Sequence, residues 1–232
     1  NERIAFLPLM VESPQGYKVN IMESALIDYP GMYLYNGDAD ASLEAMFAPY
    51  PKAIKQGGHN NLQGEVQSRE EYIAAYDGAV SFPWRIVNVS AQDKDMLDND
   101  LVWLLGEPAD PQADWSWVKP GKVAWEWWNN WHITGVDFKV GVNNDTYKYY
   151  IDFASRYGIE NGILDEGWSV KGEADLMKVV PEINIKELVD YGKERNVGII
   201  LWAGYWALQR DIEGLCKHYS EMGVKGWKAD FL

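Results

Sequence analysis

Residues 119–232 alternate between short apolar runs and segments with helical spacing, and this alternation constrains the fold more than any other feature. The apolar runs are Lys122–Trp128, Gly162–Asp165, Val197–Trp202 and Val224–Leu232. The helical patterns between them run from Asn144 to Gly158, from Ile185 to about Asn196, and from Leu208 to Gly223. Buried apolar strands that alternate with helices predict a parallel sheet with right-handed crossovers.

Two α/β architectures fit this order, a doubly wound sheet and a (β/α)8 barrel. A doubly wound sheet usually has a glycine-rich turn after its first strand, whereas Glu126-Trp127-Trp128-Asn129 follows here. The strand ends carry polar or aromatic residues, as in barrels, where functional groups lie at the carboxyl ends of strands. A whole barrel needs about 250 residues. We therefore predict the first half, about four β/α units, of a TIM-type barrel over residues 115–232.

Residues 1–114 have a different pattern. β-prone runs at Arg3–Leu9, Gly31–Leu34 and Val80–Val89 are separated by Gly, Pro, Asn and Asp, which is typical of antiparallel strands. We predict that this segment is the C-terminal part of an N-terminal β-sandwich domain. The chain begins with Asn1 and ends within a predicted strand, so we expect it to be a piece of a longer protein.

Charge and composition exclude several classes of partner. The net charge of -14 disfavours nucleic acid and anionic membrane surfaces, and no apolar run is long enough to span a bilayer. A single cysteine excludes an internal disulfide framework. Twelve Trp and fourteen Tyr against six Phe favour rings with a polar edge, which often line carbohydrate sites.

Lys228-Ala229-Asp230 at the end of the last run is the strongest candidate for chemistry. Side chains alternate along a strand, so Lys228 and Asp230 should lie on the same face. A retaining glycosidase needs a carboxylate kept ionised as nucleophile, and a nearby cation keeps the pKa of that carboxylate low. The alternative interpretation is a strand-terminal Asp that caps the next turn.

Asp165-Glu166-Gly167-Trp168 ends the second run with two acids, a turn glycine and an indole. Carboxylates can bind vicinal sugar hydroxyls, and an indole can pack on the apolar face of a pyranose. We therefore predict substrate-binding roles for Asp165, Glu166 and Trp168, with an ordinary strand-to-helix turn as the alternative. Trp127 and Trp128 are predicted to bind substrate as well, or else to be core residues.

Three further residues carry weaker signals. Glu23 lies in an acidic half of the chain whose oxygen-rich character suits Ca²⁺, although a solvated surface position is the alternative. His59 and His132 have no partner at recognisable spacing, so surface or structural roles are expected for both.

These residues together resemble glycoside hydrolase family 97. The resemblance covers nearly the whole chain and is most specific in the stretch WVKPGKVAWEWW. It is carried by the segments at 20–34, 82–85, 117–128 and 228–231. Proteins of this family join an N-terminal β-sandwich to a (β/α)8 barrel and hydrolyse α-glycosides. The resemblance implies the same architecture and activity here.

The resemblance implies a role for each candidate. Asp230 matches the nucleophile of the retaining members, which are more often α-galactosidases than α-glucosidases. Lys228, Asp165 and Glu166 would contact sugar hydroxyls. Glu23 matches a calcium ligand from the sandwich domain. The other calcium ligands and the acid/base Glu would lie beyond Leu232, so this chain is expected to be inactive alone.

Two other functions stay open at this stage. One is an inverting α-glucosidase of the same family, and the other is a carbohydrate-binding protein without catalysis. The expected partner in each case is an oligosaccharide or α-glycoside. The resemblance also implies export to the periplasm or cell surface, and the lack of a long apolar run predicts no membrane insertion.

Overall fold

A computed structural model of the chain describes residues 4–36 and 42–231. Residues 3 and 232, which end two of the predicted strand runs, lie outside this range. The described chain forms two compact units, Asn1–Lys52 with Ser68–Trp115, and Ala53–Gln67 with Ser116–Leu232. The second unit thus includes a segment near residue 60, whereas the boundaries 1–114 and 115–232 stay a prediction. Within the described ranges, every helix is too short or too polar to cross a bilayer.

The strands of the first ninety residues pair into three small sheets. They are β1 (Ile4–Phe6), β2 (Leu9–Glu12), β3 (Lys18–Ser24), β4 (Tyr33–Asn36), β5 (Leu43–Met46), β6 (Pro51–Gly57), β7 (Gln63–Arg69) and β8 (Trp84–Ser90). The sheets β1-β4-β5 and β2-β3-β8 are antiparallel, as the sequence predicted for this half. Strands β6 and β7 form a two-stranded sheet. A four-residue helix, α1 (Leu101–Leu104), follows.

The second half contains the four predicted strands separated by helices in the predicted order, together with an antiparallel hairpin after the second of these strands that was not predicted. Its elements are β9 (Val123–Trp125), α2 (Asn144–Tyr157), β10 (Asn161–Leu164), β11 (Ser169–Val170), β12 (Asp175–Val179), α3 (Ile185–Glu194), β13 (Gly198–Gly204), α4 (Tyr205–Gln209), α5 (Ile212–Met222) and β14 (Gly226–Asp230). Strands β9, β10, β13 and β14 lie side by side in chain order, and each neighbouring pair is parallel. The prediction of a parallel sheet is confirmed.

Local sequence signals fix the ends of these helices. The side chain of Asn143 accepts a hydrogen bond from the Thr146 N–H and caps α2, while Gly158 ends α2 with a φ of 64°. Asp211 caps α5 in the same way through the Gly214 N–H. This cap divides the single helix predicted from Leu208 to Gly223 into α4 and α5.

The first predicted strand is shorter than expected. It ends at Trp125, and Glu126–Asn129 forms a turn of 3-10 helix instead of continuing the strand to Trp128. The physical reason is the side chain of Glu126, which is fully buried and accepts two hydrogen bonds there. Trp127 and Trp128 consequently lie in this turn rather than in a strand, and both are exposed.

The loop between β6 and β7 packs onto the end of β13. Leu62 is buried in the same apolar cluster as the sheet, and its carbonyl accepts a hydrogen bond from the Trp206 N–H at 3.1 Å. A Cβ at Gly204 would lie 2.6 Å from the Cβ of Leu62, so this contact requires glycine. The packing holds His59 and Asn60 near the carboxyl ends of the parallel strands.

Candidate active site

The side chain of Lys228 links two carboxylates at the carboxyl ends of the parallel strands. Its Nζ donates to Asp165 Oδ2 at 2.8 Å and lies 3.3 Å from Asp230 Oδ2. Asp165 follows β10 and Asp230 ends β14, with β13 between them. The structure therefore brings together three of the predicted residues, which we call the Lys228 cluster. Their functional roles stay predictions.

Asp230 is held in its ionised form. Burial acts to raise its pKa, but hydrogen bonds from Trp202 Nε1 at 3.2 Å, from the Phe231 N–H at 2.9 Å and from Lys228 outweigh it, so the pKa is lowered. The side chain is still 43% exposed. A carboxylate that is ionised, oriented and accessible has the properties of a nucleophile.

Asp165 is more enclosed than Asp230. Only 4% of the residue is exposed, and its Oδ2 accepts from both Trp125 Nε1 at 2.6 Å and Lys228. The ammonium of Lys228 also lies 4.4 Å from the ring centroid of Trp125, within the range of a cation–π interaction. Asp165 and Trp125 thus fix the position of Lys228.

Glu126 contacts the Lys228 cluster through the backbone of Asp165, and it was not among the predicted site residues. Its Oε1 accepts from the Asp165 N–H at 2.7 Å and from the Tyr147 hydroxyl at 2.9 Å. Burial raises the pKa of Glu126 to about 7, against the opposing effect of these hydrogen bonds. The only hint in the sequence was a polar residue inside the Trp cluster.

Glu166 contacts residues from the loop between β6 and β7. Its carboxylate oxygens lie 3.0 and 3.1 Å from His59 Nε2, and Asn60 Nδ2 donates to Oε1. The His59 ring also lies 5.6 Å, centroid to centroid, from the Phe231 ring beside Asp230. His59, for which a surface or structural role was expected, therefore lies at the candidate site.

The predicted tryptophans occupy two different environments. Trp127 is 51% exposed and Trp128 is 79% exposed, and both rings pack on Trp125. Trp168 is fully buried, donates from Nε1 to the Trp202 carbonyl at 2.9 Å, and packs against Tyr219 and Trp227. Trp168 has no face free for a sugar in this structure, so its predicted role as a platform is corrected to that of a core residue.

Glu23 lies in the first unit, and its side chain is 4% exposed rather than solvated. On β3 it faces Arg85 of β8, with 3.0 Å between Oε1 and Arg85 Nε, and Oε2 accepts from the Met32 N–H at 2.9 Å. Ca²⁺ takes six to eight oxygen ligands. Across 4–36 and 42–231, no group of three or more His, Cys, Asp or Glu residues gathers into a metal site. The described residues do not by themselves fit a calcium ion.

A cavity of about 620 Å³ lies beside Glu166 in the second unit. We call it the Trp127 cavity. Its polar and aromatic lining includes Trp127, Trp131, Lys139, Glu166, Lys171 and Glu182. Asp230 and Lys228 do not line it, so the cavity adjoins the Lys228 cluster without containing it.

The electrostatic role of Lys228 gives a first prediction. In Lys228→Met, which retains much of the side-chain length but not the charge, the pKa of Asp230 should rise because an attractive charge and a hydrogen bond are lost. Carbon NMR titration of labelled aspartate carboxyl groups measures this. Lys225→Met is the matched control, because Lys225 is exposed and immediately precedes β14. The pKa of Asp230 should be unchanged in this variant. An unchanged pKa in Lys228→Met would contradict the assigned role.

Comparison with known families identifies the family to which this chain belongs. The family model described as "Glycoside hydrolase 97" matches residues 127–232, and "Glycosyl-hydrolase 97 N-terminal" matches residues 1–108. The chain belongs to glycoside hydrolase family 97.

Two curated proteins are similar in sequence. A retaining α-galactosidase of Bacteroides thetaiotaomicron is 58% identical over 231 residues, which is 100% of this chain and 35% of that protein. A probable retaining α-galactosidase of Streptomyces bingchenggensis is 31% identical over 164 residues, which is 67% of this chain and 24% of that protein. The chain spans about a third or less of the length of these relatives.

Solved structures share the fold. A family 97 enzyme from a Pseudoalteromonas species, solved with acarbose, superposes with a TM-score of 0.74 at 24% identity. The match covers 98% of this chain and 34% of the other. A β-arabinopyranosidase matches 97% of this chain and 34% of its own, with a TM-score of 0.61 at 24% identity.

Proposed function

We propose that the full-length gene product hydrolyses terminal α-linked galactosides with retention of configuration, and that Asp230 is its nucleophile. The observation that carries this proposal is the state of Asp230, which is accessible at a strand end while Lys228 and Trp202 keep it ionised. The Bacteroides relative, named a retaining α-galactosidase, supports the proposal because it is 58% identical over the whole chain.

The proposed architecture is the first half of a (β/α)8 barrel. Support comes from the order of the parallel sheet, in which β9, β10, β13 and β14 are neighbours in the order of the chain. In a doubly wound sheet, by contrast, the spatial order of the strands reverses at a switch point. The Lys228 cluster then lies where barrel enzymes place their active sites, at the carboxyl ends of the strands.

In the proposed reaction, a carboxylate oxygen of Asp230 attacks the anomeric carbon from the face opposite the leaving group. The glycosidic C–O bond breaks, and a second carboxyl group donates a proton to the departing oxygen. Water, deprotonated by that same group, then displaces Asp230 and releases the sugar. This acid/base group should lie about 5 Å from Asp230. We place it outside this chain, so the chain alone should not hydrolyse α-galactosides.

Lys228 would bind the sugar directly, and Asp165 would contribute to this binding by holding Lys228 rather than by reacting. Asp165 is almost fully enclosed and already paired, whereas Lys228 keeps about a quarter of its side chain exposed. Its ammonium can donate to a sugar hydroxyl while it still contacts both carboxylates. This pairing would hold the terminal hexose over Asp230.

A calcium role for Glu23 stays a prediction within this proposal. Glu23 would supply one buried carboxylate, and the remaining ligands would have to come from residues outside this chain. Its pairing with Arg85 would then have to loosen to free an oxygen. No step of the reaction above depends on the ion.

The anomer formed first tests the proposal. Proton NMR of an aryl α-galactoside with the full-length gene product should show α-galactose before mutarotation produces the β anomer. β-Galactose as the first product would favour the inverting alternative and overturn the role of Asp230. Saturable binding of the galactoside without any turnover would favour a carbohydrate-binding protein instead.

A further inference from the structure

The loop between β6 and β7 holds its backbone in a conformation that is unusual for residues other than glycine. Gly58, Asn60 and Asn61 all have positive φ values, of 66°, 49° and 60°. Glycine adopts this left-handed region freely, whereas asparagine tolerates it at an energetic cost. Strained backbone persists only where surrounding contacts enforce it, and it is concentrated at ligand and active sites. Two such asparagines in a row therefore point to a functional role for this loop.

Contacts on two sides of the loop enforce this conformation. The side chain of Asn61 donates from Nδ2 to the Gly172 carbonyl at 2.9 Å, in the turn between β11 and β12. Leu62 is buried in the apolar cluster of the parallel sheet. The loop is thus anchored both to the β11-β12 hairpin and to the sheet, and the two residues before these anchors, His59 and Asn60, reach the candidate site.

Both of these side chains converge on the carboxylate of Glu166. His59 Nε2 lies 3.0 Å from Oε2 and 3.1 Å from Oε1, and Asn60 Nδ2 donates to Oε1. We assign the ring proton of His59 to Nε2, because that nitrogen faces two acceptor oxygens. Hydrogen bonds to a carboxylate are stronger than those between neutral groups. Among the described residues Oε2 accepts from His59 alone, so it keeps a lone pair for one further donor.

The carboxylate held in this way lies next to the Lys228 cluster. The Glu166 N–H donates to Asp165 Oδ1 at 2.8 Å, and the His59 ring packs against the ring of Phe231, the residue after Asp230. The side chain of Glu166 is 21% exposed, so its free lone pair is within reach of a ligand.

We propose that His59 and Asn60 are positioning residues, which hold the Glu166 carboxylate in the orientation that accepts a hydrogen bond from a hydroxyl of the terminal galactose. This inference rests on the proposed function, because it requires a galactose at Asp230. Neither residue takes part in making or breaking a bond. A carboxylate without these two partners would have to be ordered each time a sugar binds, and the loop removes that cost in advance.

Substitutions in the loop separate its hydrogen bonds from its packing. His59→Phe keeps a ring against Phe231 but loses the donor, and kcat/KM of the full-length gene product for an aryl α-galactoside should fall about tenfold. Asn60→Gly suits the positive φ, also loses a donor, and should lower kcat/KM about fivefold. His59→Gln restores an N–H donor and should recover most of the parental value. His218→Phe is the matched control, because His218 is also exposed and packs on an aromatic ring, that of Tyr219. It should keep the parental kcat/KM.

A double-mutant cycle tests whether His59 acts through Glu166. Glu166→Ala should lower kcat/KM further than His59→Phe does, because it removes the sugar contact itself. The combined variant should then be no worse than Glu166→Ala alone. A further tenfold fall in the combined variant, or a parental kcat/KM in His59→Phe, would overturn the inference. A loss in His59→Gln as large as that in His59→Phe would also overturn it, because the donor would then have no role.

Failure of the proposed function gives a different result. If the parent does not hydrolyse the aryl α-galactoside, the dissociation constant for methyl α-galactoside, measured by calorimetry, replaces kcat/KM in the same cycle. The same pattern of losses in affinity would support the positioning role in a protein that binds galactose without cleaving it. A parent that does not bind methyl α-galactoside would overturn the proposed function and the positioning role together.

Discussion

Asp230→Ala in the full-length gene product should lower kcat for an aryl α-galactoside at least about a thousandfold. The variant lacks the carboxylate that would form the glycosyl intermediate, while Lys228 stays paired with Asp165 and keeps the site assembled. Turnover is measured by release of the phenol. A fold check by circular dichroism should show no change, because Asp230 lies at a strand end with an exposed side chain.

Azide distinguishes a missing nucleophile from general damage to the site. A small anion can occupy the space left by the carboxylate and attack the anomeric carbon, which releases the phenol and forms β-galactosyl azide. We expect azide to restore phenol release in Asp230→Ala. Asp190→Ala, on the exposed face of α3, is the matched control and should keep parental turnover without an azide effect. Undiminished turnover in Asp230→Ala would remove Asp230 from the mechanism.

The parallel sheet could be predicted because its signals are local. The strands are continuous apolar runs, and Gly158 marks the end of α2 where the sequence predicted it. The cap at Asp211, which divides the helix predicted from Leu208 to Gly223, is also a local contact but was not predicted. Lys228 and Asp230 could be paired in advance because strand periodicity puts them on one face. Their approach to Asp165 follows from the rule that parallel strands end at the same edge of the sheet.

The rest of the site depends on contacts that are distant in sequence. Glu166 meets His59 across 107 positions, and nothing in the spacing of either residue indicates it. Glu126 can be buried because its Oε1 accepts two hydrogen bonds, from the Tyr147 hydroxyl and from the Asp165 N–H. These donors lie 21 and 39 positions away in the sequence. Trp168 turns inward because the Trp202 carbonyl accepts its N–H. A Trp after Asp-Glu-Gly can either face the core or be exposed to a ligand. The sequence therefore could not decide between a core role and a substrate-binding role for Trp168.

The burial of Glu126 predicts a pH-dependent stability that Glu126→Gln should remove. The pKa of Glu126 is raised from 4.5 to about 7 in the fold, chiefly by burial, with Asp165 as a nearby negative charge. A raised pKa means that the folded state retains a proton that the unfolded state has released. The parent chain therefore loses stability as the pH rises from about 4.5 through 7. Glutamine has the same shape, can still accept from Asp165 and Tyr147, and does not ionise.

Urea unfolding at pH 5 and pH 8, followed by tryptophan fluorescence, measures the effect. The free energy of unfolding of Glu126→Gln, relative to the parent, should increase by about 2 kcal/mol between pH 5 and pH 8. Glu221→Gln removes a carboxylate from the exposed end of α5 and should show no comparable change with pH. A difference between Glu126→Gln and the parent that is equal at both pH values would mean that Glu126 titrates as an ordinary glutamate. In that case its hydrogen bonds to Tyr147 and Asp165 would offset the cost of burying its charge.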